Sequence, residues 1–301
     1  QRSQGCEPIN GIGNHSSMET EITYKDNKVL VGPEYPFVII GERINPTRRK
    51  KLAESIKSGD FSLVQQDARN QVEAGAQILD VNAGIPGGDE PLLLRSAVEA
   101  VLQVVEVPIC IDTADPEALR AALEIYPGRA LINSTTAEEQ MMARVFPLAK
   151  KYHAAVIGVI TDESGIPATP LERLEAAQKL VNRAADFELP PQDIIIDPLA
   201  LTIGADHNAG KVTLDSIHLI REQLGVNMSL GASNVSFGLP DRKSINTAYL
   251  ALAIGRGLTA AITDPTIPEI AQTLLACDLL MGHDEDAMRF IQAYRKRSKD
   301  A

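Results

Sequence analysis

The strongest constraint on the fold is a regular alternation of short apolar runs with longer amphipathic segments between residues 37 and 263. The intervening segments, such as 62–76 and 171–187, repeat apolar residues at spacings of three and four, which indicates helices. The apolar runs are nearly continuous, which is typical of parallel strands buried on both faces. Eight of them are predicted to be strands: "FVIIG" (37–41), "QILDVN" (77–82), "PICID" (108–112), "RALIN" (129–133), "AAVIGV" (154–159), "DIIID" (193–197), "VNMSLG" (226–231) and "TAAIT" (259–263).

Eight strands, each followed by a helical segment, predict an α/β fold, a (β/α)8 TIM barrel with a short N-terminal hairpin extension. A length of roughly 250 residues is usual for such a barrel. Asp115 followed by Pro116 is a typical helix start, with an N-cap and a proline at the first helical position. The alternative is a doubly wound open sheet, but its G-x-G-x-x-G fingerprint does not follow any of the predicted strands.

Three parts are predicted along the chain: 1–34, 35–285 and 286–301. The first part holds a leader and a hairpin. Residues 1–17 are polar and begin with Gln, and we hypothesise that they are a cloning remnant or a disordered leader. Residues 20–32 alternate apolar and polar around a Lys-Asp-Asn turn, which predicts a hairpin covering one end of the barrel. The barrel is predicted over 35–285, and a terminal helix over 286–301.

Composition limits the partners. The formal net charge of −11 and the pI of about 5.0 argue against a nucleic-acid partner. The apolar runs are far shorter than the roughly 20 residues that cross a bilayer, so we expect no membrane association. Three cysteines without C-x-x-C spacing fit a reducing compartment, and we expect the cytoplasm.

Polar residues follow the apolar runs, where the active sites of TIM barrels lie. Any one of them alone is explained by capping of the next helix. Because the whole set converges on one mouth, it predicts a binding site. The set comprises Glu42, Asn45, Asp80, Asn82, Asp112, Asn133, Asp162, Asp197, Ser233, Asn234 and Asp264.

The chemistry of this set narrows the ligand. No lysine ends a strand, which removes the Schiff-base nucleophile of barrel aldolases. No zinc-binding spacing of His and Cys is present, and we predict no bound metal. Cations are scarce at these positions, which disfavours a phosphate-centred substrate. Carboxylates and carboxamides together suit a neutral heterocycle with an amidine-like edge, because a carboxylate facing two N–H donors forms a bidentate pair.

Six ordered motifs carry a family resemblance: "GERIN" (41–45), "LDVNAG" (79–84), "ICIDTAD" (109–115), "LINST" (131–135), "IIIDPL" (194–199) and "GASNVSFGLPDR" (231–242). Together they resemble the methyltetrahydrofolate:corrinoid (iron-sulfur) protein methyltransferases of the pterin-binding, dihydropteroate synthase-like superfamily. The resemblance covers about residues 37–285 and implies a pterin-binding TIM barrel. It also implies methyl transfer between N5 of tetrahydrofolate and the cobalt of a protein-bound corrinoid (cobalamin), in a direction that the sequence leaves open.

The resemblance assigns roles to particular residues. It implies that Asp112, Asn133 and Asp197 hold the pterin and that Asn234 is the catalytic residue at N5. A departing N5 carries developing negative charge, and a carboxamide donor stabilises that charge in the transition state. Further pterin-binding candidates are Glu42, Asn45, Asp80, Asn82, Ser233 and Arg242. For Arg242 a surface salt bridge is an equal alternative.

The resemblance also implies a substrate and partners. The substrate is tetrahydrofolate or 5-methyltetrahydrofolate, and the family commonly forms homodimers. The corrinoid-ligating motif D-x-H-x-x-G is absent, because "ADHNAG" has Ala205 in the aspartate position. We therefore expect the corrinoid on a separate protein that docks at the mouth, and we expect His207 to be a loop residue.

Two other functions stay open. One is a dihydropteroate synthase-like condensing enzyme, although "DPLALTIGADH" lacks the lysine that this synthase places after its Asp-Pro. The other is a non-catalytic folate-binding protein, which would not need a group at the leaving nitrogen. Phe237 departs from the pattern, because some corrinoid-dependent members have glutamine there; a proton relay through this position is therefore in doubt.

Overall fold

A computed structural model describes residues 18–300, and the side chains as far as residue 298. Residues 1–17, for which we expected a leader or cloning remnant, lie outside the described residues. None of the described helices combines the length and the apolar character needed to span a membrane.

The N-terminal hairpin consists of β1 (Thr20–Tyr24) and β2 (Asn27–Val31), which pair antiparallel. Ile22 and Val31 are fully buried and belong to the same apolar cluster as the interior of the barrel. Thr23 and Arg129 exchange two backbone hydrogen bonds of 3.0 Å, and Arg129 lies just before the barrel strand that begins at Leu131. The hairpin therefore closes the N-terminal end of the barrel, as predicted, and leaves the other end open as a mouth.

The barrel wall contains seven parallel strands. They are β3 (Val38–Ile44), β4 (Ile78–Val81), β5 (Ile109–Asp112), β6 (Leu131–Thr136), β7 (Ala155–Val159), β8 (Ile194–Asp197) and β9 (Ala260–Thr263). Their order in the sheet is β8-β7-β6-β5-β4-β3-β9. Sequential neighbours pair along most of this order, as in the predicted α/β barrel.

The seventh predicted strand, 226–231, is present as a bridging segment between the two sheet edges rather than as a regular strand. Met228 bridges Ile196 of β8, and Gly231 bridges Ile262 of β9, both in parallel. The Met228 N–H donates to the Thr259 hydroxyl at 3.0 Å instead of to a strand carbonyl. Side-chain partners thus replace part of the ladder, and the segment still closes the barrel.

Ten α-helices cover the described barrel: α1 (Lys50–Lys57), α2 (Ser62–Glu73), α3 (Glu90–Leu102), α4 (Pro116–Leu123), α5 (Glu139–Tyr152), α6 (Pro170–Asp186), α7 (Ala209–Leu224), α8 (Arg242–Ile254), α9 (Pro268–Leu280) and α10 (Met288–Asp300). Asp115 caps α4 by accepting from Glu117 N, as expected. Thr169 and Glu172 form a capping box at the start of α6. These caps fix where each loop at the mouth gives way to its helix.

The core has two parts because side chains of a strand alternate between its faces. The outward-facing strand residues pack against the helices in one large cluster. The inward-facing residues form a second, smaller cluster inside the barrel, which includes Ile40, Ile78, Cys110, Leu131, Ile157, Ile195 and the partly buried Ile262. This inner cluster is the floor on which the candidate site stands.

Candidate active site

The candidate site is a polar layer directly above the apolar floor. On five strands the residue two positions after the floor residue is polar and still lies within the strand, and a two-residue step keeps a side chain on the inward face. These residues are Glu42, Asp80, Asp112, Asn133 and Asp197. The layer therefore follows from the strand period, and it contains the three residues expected to hold a pterin.

Asp112 and Asp80 are linked to two asparagines by side-chain hydrogen bonds. Asn82 Nδ2 donates to Asp112 Oδ2 at 3.1 Å, and Asn133 Nδ2 donates to Asp80 Oδ1 at 3.0 Å. Asn82 Oδ1 accepts from Gly84 N at 2.9 Å, which fixes the orientation of this amide. The Nδ2 of Asn45 approaches Asp112 Oδ2 at 3.5 Å. The structure thus brings these five predicted residues into one network.

The two carboxyl groups of this network have raised pKa values. Burial raises the pKa of Asp112 to about 6, against the stabilising hydrogen bond from Asn82. The pKa of Asp80 lies well above its usual range, first because of burial and then because of the charge of Asp112. Since two adjacent buried carboxyls do not readily ionise together, we assign the retained proton to the deeper Asp80 and the charge at neutral pH to Asp112.

Asp197 lies at the end of β8 and is held by the loop that follows it. Its Oδ1 accepts from Leu199 N at 2.7 Å, and burial raises the pKa of Asp197 to about 7. Leu199 has a left-handed backbone with φ 58°, a conformation that needs support in a branched residue. Its carbonyl accepts from Arg173 Nη1 at 3.0 Å and from Thr213 Oγ1 at 3.1 Å.

Arg173 is a buried cation that sequence reasoning missed. Its side chain is 1% exposed, and it donates to the carbonyls of Pro167, Pro198 and Leu199 and to the Thr213 hydroxyl. Its charge lowers the pKa of Asp197 and so opposes the effect of burial. The only available signal was an arginine on the apolar stripe of 171–187, at a spacing where a buried residue was expected.

Glu42, on β3, contacts the turn that follows the bridging segment. Its Oε1 accepts from the Ser233 hydroxyl at 2.9 Å. Burial raises the pKa of Glu42, this hydrogen bond opposes the shift, and the nearby Asp264 adds to it. Glu42 and Ser233 therefore connect β3 to the turn that carries Asn234.

Asn234 lies in a short 3-10 helix, Ala232–Ser236, at the rim of the mouth. Its side chain is exposed and makes no hydrogen bond with any residue of the range 18–298. A Cβ on Gly231 would lie 2.9 Å from Asn234 Nδ2, so a larger residue there would displace the amide from this orientation. Asn234 is thus a carboxamide available to a ligand.

Arg242 braces this turn. Its Nε donates to the Ser236 hydroxyl at 3.0 Å, and its Nη2 donates to the Ser233 carbonyl at 2.5 Å. Within the described residues it forms no ion pair, so the surface salt bridge considered from the sequence is not the arrangement that the structure shows. Arg242 thus contacts Ser233 and Ser236, one before and one after Asn234 in the turn.

Phe237 and Arg48 meet at the rim beside Asn234. The Arg48 guanidinium carbon lies 4.6 Å from the centre of the Phe237 ring, in a cation–π contact. Phe237 is 47% exposed, and its carbonyl accepts from the Thr202 hydroxyl at 2.6 Å. Three loops, which follow β3, β8 and the bridging segment, therefore meet around the Asn234 turn.

Comparison with known proteins now gives the family. The model of a family described as pterin binding enzyme matches residues 41–264, which contain the whole polar layer and Asn234. The chain belongs to the pterin binding enzyme family.

Two similar proteins match this chain over very different shares of their own length. Methylcorrinoid:tetrahydrofolate methyltransferase of Eubacterium limosum is 31% identical over 265 residues, which cover 86% of this chain and 96% of that protein. Methionine synthase of Mycobacterium tuberculosis is 27% identical over 270 residues, which cover 83% of this chain but 23% of the synthase. The chain therefore corresponds to nearly all of the first relative and to one segment of the second.

Solved structures of dihydropteroate synthases share the fold. The synthase from Thermus thermophilus in complex with 4-aminobenzoate has a TM-score of 0.65 and 20% identity, covering 86% of this chain and 99% of that one. The synthase from Yersinia pestis has a TM-score of 0.65 and 16% identity, covering 87% and 100%. At these identities the likeness establishes the barrel architecture alone.

Some residues flagged in the sequence do not join the polar layer of this pterin binding enzyme. β7 ends at Val159, and Asp162 accepts instead from the N–H and hydroxyl of Ser164 within its own turn. Asp264 accepts from Thr266 in the same manner and lies 3.5 Å from the Arg43 guanidinium. Asp162 is therefore explained by hydrogen bonds within its own turn, and the following helix is capped by Thr169 instead.

Proposed function

We propose that this protein is a methyltransferase that moves a methyl group between N5 of tetrahydrofolate and the cobalt of a corrinoid carried by a separate protein. The observation that carries the proposal is the unbonded carboxamide of Asn234 at the rim of a layer of carboxylates and carboxamides. The methyltransferase from Eubacterium limosum, similar over nearly its whole length, supports the reaction class.

In this proposal Asp112, Asn133 and Asp197 bind the pterin. A pterin edge presents adjacent N–H donors and a carbonyl acceptor, and a charged carboxylate accepts two parallel donors. Asp112 Oδ2 accepts from Asn82 Nδ2 at 3.1 Å, which fixes the orientation of this carboxylate. Asn82, Asn45 and Asp80 hold these groups in place, because their hydrogen bonds fix the orientation of each side chain. Glu42, Ser233 and Arg242 position the Asn234 turn.

Asn234 acts on the reacting nitrogen. When the methyl group leaves N5 for Co(I), the N5–CH3 bond breaks and N5 takes up a proton from solvent to become the N5–H of tetrahydrofolate; an amide N–H donor stabilises the electron density that develops on N5 most strongly in the transition state. In the reverse direction the N5 lone pair attacks the cobalt-bound methyl group and N5 loses its proton to solvent, through the same transition state next to the same amide. One site thus serves both directions, as microscopic reversibility requires.

A spectroscopic assay tests the proposal. The protein is mixed with 5-methyltetrahydrofolate and Co(I) cobalamin or a Co(I) corrinoid protein, and the cobalt absorbance is followed. Conversion of Co(I) to methyl-cobalt, with tetrahydrofolate as the second product, supports methyl transfer. The reverse reaction, from methyl-corrinoid and tetrahydrofolate, gives the preferred direction. No spectral change with either corrinoid in either direction would exclude the proposed reaction.

We also propose a homodimer. Six of the ten large hydrophobic residues that are exposed within the described range lie on or next to α8, α9 and α10. They are Leu252, Leu280, Met281, Met288, Ile291 and Tyr294. Such a concentration of apolar surface is typical of a subunit interface. Sedimentation should give a dimer, and Leu280→Lys should shift it towards monomer; a wild-type monomer would contradict this proposal.

We propose that residues 35–285 form the pterin-binding barrel and residues 286–301 the terminal helix. The family match over 41–264 supports the extent of the barrel.

We propose a cytoplasmic location, favoured by the unpaired and buried Cys110 and Cys277. Cell fractionation with an antibody to the protein would test this location.

A further inference from the structure

A run of four cations, Arg48, Arg49, Lys50 and Lys51, follows β3 at the mouth; we call it the basic segment. It is unusual in a chain of net charge −11. Arg49 is engaged, because its guanidinium lies 2.6 Å from the Asp67 carboxylate. The other three are exposed, and none forms an ion pair with a residue of the range 18–298. Three unpaired cations therefore lie at the rim of the candidate site.

The basic segment is directly beside the Asn234 turn. Arg48 contacts the ring of Phe237 at 4.6 Å, and Phe237 is three residues after Asn234 in the same loop. Lys50 and Lys51 open α1, whose first turn contains no acidic residue. Cations are unfavourable at the positive end of a helix, so a bound anion would relieve this arrangement.

The structure of the proposed substrate indicates what this surface meets, and this inference rests on the proposed function. In tetrahydrofolate, ring carbon C6 is bonded to N5 and carries the aminobenzoyl-glutamate arm. The arm therefore begins one bond away from the nitrogen that Asn234 serves, and it must leave the pterin on the side of the mouth where Asn234 lies. It continues with an aromatic ring and ends in two carboxylates.

We propose that Phe237 and the basic segment form the binding site for this arm. The exposed face of Phe237 and the guanidinium plane of Arg48 pack against the aminobenzoyl ring, since both groups stack on aromatic rings. Arg48, Lys50 and Lys51 attract the glutamate carboxylates. The same residues would then favour folates with a charged arm over pterins without one.

Binding to two ligands tests the proposal. The dissociation constants of tetrahydrofolate and of 6-methyltetrahydropterin, which lacks the arm, are measured by calorimetry on the full chain without any corrinoid partner. The test variant combines Arg48→Ala, Lys50→Ala and Lys51→Ala. The control combines Arg144→Ala, Lys150→Ala and Lys151→Ala, which removes the same number and kind of exposed charges from a different helix, α5.

We expect the test variant to bind tetrahydrofolate about three- to tenfold less tightly and 6-methyltetrahydropterin as the wild type does. The loss should shrink at high salt, because exposed charges are screened. The control should bind both ligands normally, which would show that the effect is local. A separate Phe237→Ala variant should likewise weaken only tetrahydrofolate.

Unchanged tetrahydrofolate binding by the test variant would overturn the proposal. If the KM for the corrinoid protein is raised in the same variant, the basic segment docks the partner protein instead. Failure of the proposed reaction is distinguishable, because it appears as an absence of methyl transfer in the cobalt assay, whereas the arm site is tested by the difference between the two dissociation constants.

Discussion

Replacing Asn234 with alanine separates the chemistry of this site from its folding and its affinity. The side chain is exposed and has no hydrogen-bond partner among residues 18–298. Its removal therefore leaves no buried polar group unsatisfied and opens no cavity. We expect the free energy of unfolding to change by no more than about 0.5 kcal/mol, as for other surface substitutions.

The effect on the rate should be much larger. Loss of one preorganised donor to a developing negative charge costs about 2.7–4 kcal/mol in other enzymes, or roughly 10²–10³ in rate. Asn234 lies at an open rim, where water partly replaces the lost donor, so the lower limit applies. We expect the Asn234→Ala variant to transfer the methyl group about 10²-fold more slowly, with tetrahydrofolate binding reduced no more than about threefold.

Single-turnover kinetics measure the two quantities separately. The rate of Co(I) consumption is recorded at saturating 5-methyltetrahydrofolate, and the dissociation constant of tetrahydrofolate is measured by calorimetry. Asn208→Ala is a matched control, because Asn208 is also exposed at the mouth and its side chain makes no cap hydrogen bond. The control should have the wild-type rate.

Two results would refute the reasoning. A wild-type rate in Asn234→Ala would remove this residue from the mechanism. A rate loss that is accompanied by an equal loss of folate affinity would show that the amide binds the ground state as strongly as the transition state. Asn234 would then be a binding residue, since uniform binding does not raise the rate of the chemical step.

Three further predictions follow from the geometry. Tetrahydrofolate affinity should fall by up to about tenfold per pH unit as pH drops below 7, because the pKa of Asp197 is about 7 and only its ionised form accepts two donors; an affinity that is equal at pH 6 and pH 8 would contradict this. Asp197→Ala should weaken folate binding by about 1–3 kcal/mol, measured by calorimetry, and a normal dissociation constant would remove it from the site. Gly231→Ala should slow methyl transfer about as much as Asn234→Ala, because its Cβ would lie 2.9 Å from the Asn234 amide; an unchanged rate would mean that the amide has room to move.

The strand period made much of the site predictable. The sequence shows where each apolar run ends. Because side chains alternate along a strand, the residue two positions after an inward-facing floor residue also faces inward. Asp80, Asp112, Asn133 and Asp197 could therefore be placed in one layer from the sequence, and the structure confirms their common face. Asp162 lies outside this layer, because β7 ends at Val159 and Asp162 belongs to the turn that follows.

Contacts between distant loops were not predictable in the same way. The periodicity of α6 marks Arg173 as a buried position but does not reveal that its guanidinium supports the carbonyl of Leu199. Similarly, nothing in the sequence pairs Arg48 with Phe237, which are 189 positions apart in the chain and meet only because both loops lie at the mouth. The periodicity of a helix or strand shows which of its faces a residue lies on, whereas contacts between loops form only once the barrel has closed.

The placement of the functional groups suggests why binding and rate should respond separately to mutation. The groups that we expect to hold the pterin lie on strands and, in the case of Asp112, Asp80 and Asp197, are fixed by hydrogen bonds of 2.7–3.1 Å. Asn234 instead lies on a turn that is supported by Arg242 on both sides while its own amide is unbonded. A rigid layer keeps the pterin stationary, and a free amide adapts as charge moves onto N5 and off it again. We expect such an arrangement to let one site stabilise both partners of a reversible transfer, because the amide proposed to change its hydrogen bond has no partner among residues 18–298.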